Sequence, residues 1–163
     1  MTTITATTGT DREPVHVYAA LLLNLHDLIA HGKGDTEEAD ALRDRMDEPW
    51  YALSEESRQR VGGLSEDLYA LAERGPKQVE MTAAEREHWS AEAKAAQDAY
   101  QKGDFDTVLR FLRQPSPRGL PPELVLRFRA KCWEGLGHSE IAARFVQAAG
   151  SIDLTNCTIP DLR

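Results

Sequence analysis

Cysteine is nearly absent from this chain: two residues in 163, Cys132 and Cys157. Two thiols give neither a disulfide framework nor a Cys-x-x-Cys metal signature, and Cys132 falls at a helical core spacing, which predicts a buried thiol. Isoleucine and valine are also sparse, so strands have little to build on, whereas the abundant Ala, Leu, Glu, Arg and Asp favour helix. No glycine-rich phosphate loop and no nucleophile elbow is present. The longest apolar run, 17–23, is far too short to cross a bilayer. Residues 1–14 lack the basic and apolar regions of a secretory signal, and without a secretion route the sequon Asn156-Cys157-Thr158 means little. These absences predict a cytoplasmic protein with no membrane association.

Positive charge is scarce as well. The net charge is −8. Residues 1–80 hold 16 acidic and 8 basic side chains and residues 81–163 hold 11 of each, so the whole excess lies in the first half. An acidic half repels nucleic acid and membranes. Between 110 and 131 the sign reverses: Arg110, Arg113, Arg118, Arg127, Arg129 and Lys131 face only Glu123, a basic patch able to steer an acidic partner. Apolar residues at 41% and charged residues at 28% are ordinary for a globular protein of this length.

What is present is helical periodicity. Residues 1–12 are threonine-rich and aperiodic and read as a disordered tail. Pro14 suits a first helical turn, and Val17, Leu21, Leu25, Leu28 and Ile29, widened by Leu22 and Leu23, make a helix packed on two sides and ended by the Gly32-Lys33-Gly34 run. Asp35 with Glu38 predicts a capping-box start for a short helix carrying Ala39, Leu42 and Met46, stopped by Pro49. Ser54 is the next N-cap; Val61, Leu64, Leu68 and Leu71 follow to a Gly75-Pro76 stop. Gly62-Gly63 within that helix permits close packing or marks a bend. After a link at 77–81, Thr82 with Glu85 is a second capping box, and Trp89, Ala93, Ala96 and Tyr100 share a face up to Gly103. Asp104 caps a helix with Phe105, Val108, Leu109 and Leu112 inward, ended early by Pro115 and Pro117. Pro121-Pro122 opens the next, with Leu124, Phe128, Cys132 and Leu136 on one face, and Ser139 the last, with Ile141, Ala142, Phe145, Val146 and Ala149 up to Gly150. Seven helices and no strand predict an all-α fold. The regions are a 1–12 tail, an N-terminal helical region at 13–76, helix pairs at 77–150 and a C-terminal tail at 151–163.

Two of these stretches repeat. Residues 96–112 and 130–146 each run from a small residue through an aromatic to a helix-ending glycine and then an apolar helical stripe. Gly103 and Gly137 lie 34 positions apart, as do Ala96 and Ala130, Val108 and Ala142, and Leu112 and Val146. Helix pairs with this period form stacked arrays. On these residues, 89–150, about two fifths of the chain, resembles tetratricopeptide-type repeats: Ala96, Gly103, Phe105 and Leu112 fit one unit, and Ala130, Trp133, Gly137, Ala142, Val146 and Ala149 the next. The resemblance implies antiparallel helix pairs in a right-handed superhelix, with a concave, peptide-receiving groove. Lys94, Gln97 and Gln101 of the first unit and Arg127 and Lys131 of the second would line it. Glu92 and Arg129 depart from the pattern, standing where large apolar residues are usual; Pro115 shortens the first unit's second helix, and Pro121 falls a residue late. Gly34 stands 69 residues before Gly103, yet 35–88 does not reproduce the repeat.

Other constellations carry less chemistry. His26, Asp27 and His31 share a helix, but i and i+5 diverge around it by about 140°, whereas paired metal ligands favour i, i+4. The acidic run at 35–48, Glu37, Glu38, Asp40, Asp44, Asp47 and Glu48, lacks the glycine and spacing of a calcium loop and is interrupted by Arg43 and Arg45, so it reads as a solvated face. Trp50-Tyr51 after Pro49 caps a helix pair or anchors a partner. Trp89 and Trp133 read as core. The expectation is a non-enzymatic, cofactor-free interaction module that binds a protein or acidic peptide. Alternatives are a self-assembling subunit of a homo-oligomer or larger complex, and a small metal-dependent enzyme built on His26, His31 and the acidic run.

Overall fold

The computed structural model describes residues 12–71, 78–117 and 121–150. The expectations for the N-terminal tail, the Gly75-Pro76 stop, Arg118, Cys157 and the C-terminal tail fall outside those residues. The described residues form seven helices and no strand: α1 (Arg12–Ala30), α2 (Glu37–Ala52), α3 (Glu55–Ala70), α4 (Ala83–Lys102), α5 (Phe105–Leu112), α6 (Pro122–Gly135) and α7 (Ser139–Ala149). One isolated bridge joins Gln78 to Ser116, with Val79 N–H donating to the Ser116 carbonyl at 2.9 Å. The protein is all-α, as composition implies. Its contacts divide it into two compact units, Met1–Ser65 and Glu66–Arg163, so the boundary falls inside α3.

In the first unit, α1 buries Val15, Ala19, Leu21, Leu22, Leu23 and Leu25, more of its circumference than one neighbour can cover. It packs chiefly on α2. Val15, Leu53 and Val61 form a small core against which Tyr18 and Trp50 lie, and the Arg58 guanidinium sits 5.5 Å over the Trp50 ring. Two expectations are corrected here. The N-cap of α2 is Thr36, whose hydroxyl accepts from Ala39 N–H at 3.3 Å, not Asp35. Pro49 does not stop α2; it lies within the helix. It forfeits one helical hydrogen bond, and the turn it sits in persists because Trp50 and Leu53 just beyond it pack into the Val15–Val61 core. Ser54 caps α3 as expected, accepting from Ser57 N–H at 3.2 Å. Gly62 serves no close packing: a Cβ there would meet no atom within 4 Å.

In the second unit, α4 pairs with α5, α5 with α6, and α6 most extensively with α7. The capping box on α4 is complete: Thr82 N–H donates to Glu85 Oε2 at 2.7 Å and Glu85 N–H to Thr82 Oγ1 at 3.3 Å. Asp104 caps α5 through Thr107 N–H at 3.3 Å. The core is Trp89, Val108, Leu109, Leu112, Val125, Phe128, Cys132, Trp133 and Phe145. Burying each large side chain contributes about 1.5–3 kcal/mol. Cys132 is fully buried, and its thiol is pushed well above the ordinary range, first by desolvation and then by Asp67, so it stays protonated.

Gly103 and Gly137 end α4 and α6 in the same way. Both have positive φ, 77° and 88°, where a side chain is penalised. Gly103 N–H donates to Tyr100 O and Asp104 N–H to Ala99 O, at 3.2 and 2.9 Å; Gly137 N–H donates to Glu134 O and His138 N–H to Trp133 O, at 3.0 and 2.9 Å. These paired four- and six-residue bonds are the Schellman ending. Gly32 makes the same pair after α1, so the positive-φ glycine there is Gly32, 71 residues before Gly103, and not Gly34.

Candidate functional site

On α4, Trp89, Ala93 and Ala96 face the core. Lys94 and Gln101 are exposed and Gln97 is half-buried, and the three follow a stripe on the flank of that buried face. On α6 most of the circumference is buried, from Leu124 round to Ala130 and Trp133. What is left outward is a stripe of Glu123, Arg127, Lys131 and Glu134, with Arg127 half-buried and Lys131 exposed. Lys131 Nζ lies 3.2 Å from Glu134 Oε2. The α6 half of the expected groove is therefore mixed in charge rather than basic. The two helices meet at Tyr100 and Phe128, whose rings stack edge to face at 5.5 Å and 86°. Gln101 adjoins Tyr100 in the chain, and Arg127 adjoins Phe128.

On the other flank of α4, Glu92, Thr107, Arg110 and Gln114 rim a crevice of about 110 Å³ floored by Ala96 and Phe111. Glu92, which departs from the repeat pattern, is half-exposed there, 3.5 Å from His88 Nε2. A wider, open cleft of about 550 Å³ lies along Gln78, Val79, Glu80 and Met81, between Arg86 and Pro117. Arg86 holds that extended segment to α4 by two bonds to the Met81 carbonyl, at 3.0 and 2.8 Å.

The basic patch at 110–131 is reorganised by a residue outside it. Asp67, on the last turn of α3, is fully buried. Arg113 donates to both of its oxygens, Nε to Oδ1 at 2.8 Å and Nη2 to Oδ2 at 2.9 Å, and the Trp133 indole N–H donates to Oδ2 at 3.1 Å. Arg129, 2% exposed, brings its Nε to 3.6 Å from Oδ1 and donates from Nη2 to the Leu112 carbonyl at 3.2 Å. Its Nε and Nη1 have no hydrogen-bond acceptor among the described residues. Desolvation lowers the Arg129 pKa, with Asp67 opposing and Arg113 adding to the effect; a guanidinium remains a cation regardless. Two of the six patch cations thus serve the interior, and the buried Arg129 faces a buried carboxylate. Removing one partner of such a group typically costs about 3–5 kcal/mol.

His26 lies in α1 and His31 just beyond its end. His26 is half-buried with Nε2 3.3 Å from Ser65 Oγ, and burial lowers its pKa against the pull of Asp27. His31 is exposed, its Nδ1 2.6 Å from the Asp27 carbonyl. Among the described residues no three His, Cys, Asp or Glu side chains come together as a metal site. The carboxylates of α2 are exposed, and Arg43 pairs with Asp40 at 2.7 Å while donating to the Gly34 carbonyl at 2.9 Å. No described helix is long and apolar enough to cross a membrane.

Compared with protein-family models, characterised proteins and solved structures, the chain matches none. The site is read from its own residues.

Proposed function

We propose that this protein is a non-enzymatic interaction module whose second unit is a short stack of tetratricopeptide-like helix pairs. In this reading α4–α5 and α6–α7 are two antiparallel pairs, and the groove lies along α4 and α6. A protein or acidic peptide binds there through Lys94, Gln97, Gln101, Arg127 and Lys131. The observation that carries the reading is the Tyr100–Phe128 contact between first helices that end on identical glycine turns 34 residues apart. Such a face binds by complementarity, with exposed charges tuning encounter and specificity more than affinity.

The test is a fluorescence-anisotropy screen of acidic octapeptides, each with a free and with an amidated C-terminus. Arg127→Glu with Lys131→Glu should weaken the tightest binder at least tenfold while helicity holds; substitution of the exposed Lys131 typically changes stability by under about 0.5 kcal/mol, and the melting temperature of Arg127→Glu alone measures the cost at the half-buried position. The comparison pair is Lys102→Glu with Arg110→Glu, both exposed and both off the groove. Equal losses in the two pairs would leave only diffuse attraction to an acidic peptide, and no loss in either would remove the groove.

A further inference from the structure

The buried cluster at Asp67 is built mostly from donors. We infer that Arg113, Arg129 and the Trp133 indole N–H form a preorganised carboxylate-binding site, and that Asp67 occupies it as an internal ligand. The geometry is that of carboxylate recognition: a guanidinium fork spans both oxygens at 2.8 and 2.9 Å, and an indole N–H completes one of them at 3.1 Å. All the donors stand on α5, α6 and the Arg113 cap between them, while the acceptor comes from α3, 46 and 66 residues away in sequence from Arg113 and Trp133. Donor capacity exceeds what Asp67 uses. Two cations face one anion, and Arg129 Nε and Nη1 remain without an acceptor after the carboxylate is seated. A structural ion pair selected only for stability would balance its charges, since a buried guanidinium with open donors carries its desolvation uncompensated.

In the native chain the site is filled from within, so the carboxylate of an incoming peptide does not use Arg113 or Arg129. The last turn of α3 is thereby latched to α5 and α6 by one side chain. Truncating Asp67 to alanine removes the two oxygens, leaves their space, and strands the buried Arg129 and the part-buried Arg113. A small monocarboxylate, formate or acetate, supplies the same two oxygens; chloride does not. This inference stands whether or not the groove on α4 and α6 binds a peptide.

The experiment is thermal unfolding of the full chain, followed by circular dichroism in formate, acetate and chloride at equal ionic strength. Asp67→Ala should melt below wild type in chloride and recover about 4 °C or more, saturably, in formate or acetate. Wild type should not respond. Asp67→Asn, whose amide fills the space, and Asp67→Ala with Arg113→Ala, which lacks the fork, should not respond either. If Asp67→Ala is unfolded in chloride, recovery of helicity on adding formate is the supporting result. No recovery in either salt, an equal response to chloride, or the same response from wild type or Asp67→Asn overturns the inference.

Discussion

An alanine at position 135 tests a close approach between α5 and α6. Gly135 is the last residue of α6, and a Cβ built there would overlap the Phe105 ring, lying on Cε2 and 2.6 Å from both Cδ2 and Cζ. The ring must move, and it is not free to do so without loss, because its edge packs against Tyr100 at 6.0 Å and 71°. Inserting a methyl into such a contact costs about 1–3 kcal/mol. Against this, replacing glycine by alanine in a helix stabilises by about 0.5–1 kcal/mol. The net expectation for Gly135→Ala is a loss of about 1 kcal/mol, or a melting temperature lower by about 2–4 °C for a chain of this length. Urea titration followed by tryptophan emission reads it, since Trp89 and Trp133 lie in the same unit. In a Phe105→Leu background the overlapping ring atoms are gone, so the same change should be neutral or stabilising, with a coupling of about 1 kcal/mol. An unchanged or raised stability of Gly135→Ala in the wild-type background would refute the Phe105–Gly135 packing.

Gly62→Ala should do the reverse: position 62 is helical and a Cβ there meets no atom within 4 Å, so a gain of about 0.5–1 kcal/mol is expected in urea unfolding, and a loss would contradict the open surface. The helix caps should report on pH. Bonding to the Thr82 backbone N–H and then its side chain holds the Glu85 carboxyl below its usual range, and bonding to the Thr107 side chain does so first for Asp104. Depressed values mean that this stabilisation is complete above the unfolded carboxylate range and is lost as pH falls through the lowered folded values. Acid titration of helicity should therefore be shallower for Glu85→Gln with Asp104→Ser, whose caps do not titrate, and identical curves would sink the assignment.

The helices were legible because their signals are local. Thr82, Ser54 and Asp104 begin helices where capping chemistry needs only residues within one turn, and Pro121 and Ser139 mark two further starts that carry no side-chain cap. Gly103 and Gly137 were legible for the same reason. At the start of α2 the cap lies one residue on from Asp35, at Thr36, within the same local signal. Pro49 differs because its place depends on neighbours distant in sequence: it is carried in α2 by Trp50 and Leu53 packing toward Val15 and Val61. Gly135 left no local trace, since its requirement is set by a ring thirty residues earlier.

The buried charges were half legible. Arg129 stands in the apolar stripe of α6 and Asp67 in that of α3, beside Leu64 and Leu68, and a charge on a buried stripe predicts an opposite charge facing it. Each was visible alone, and pairing them required knowing which helices meet. That pairing changes what the surface can offer. Among the described residues of the patch, Arg113 and Arg129 turn to Asp67 and Lys131 lies near Glu134. A partner steered by charge alone would find little net field on this unit. Under the proposed reading, recognition on α4 and α6 would rest on shape and on individually placed hydrogen bonds, so the amidated and free C-termini, rather than total peptide charge, are the informative contrast in the binding screen.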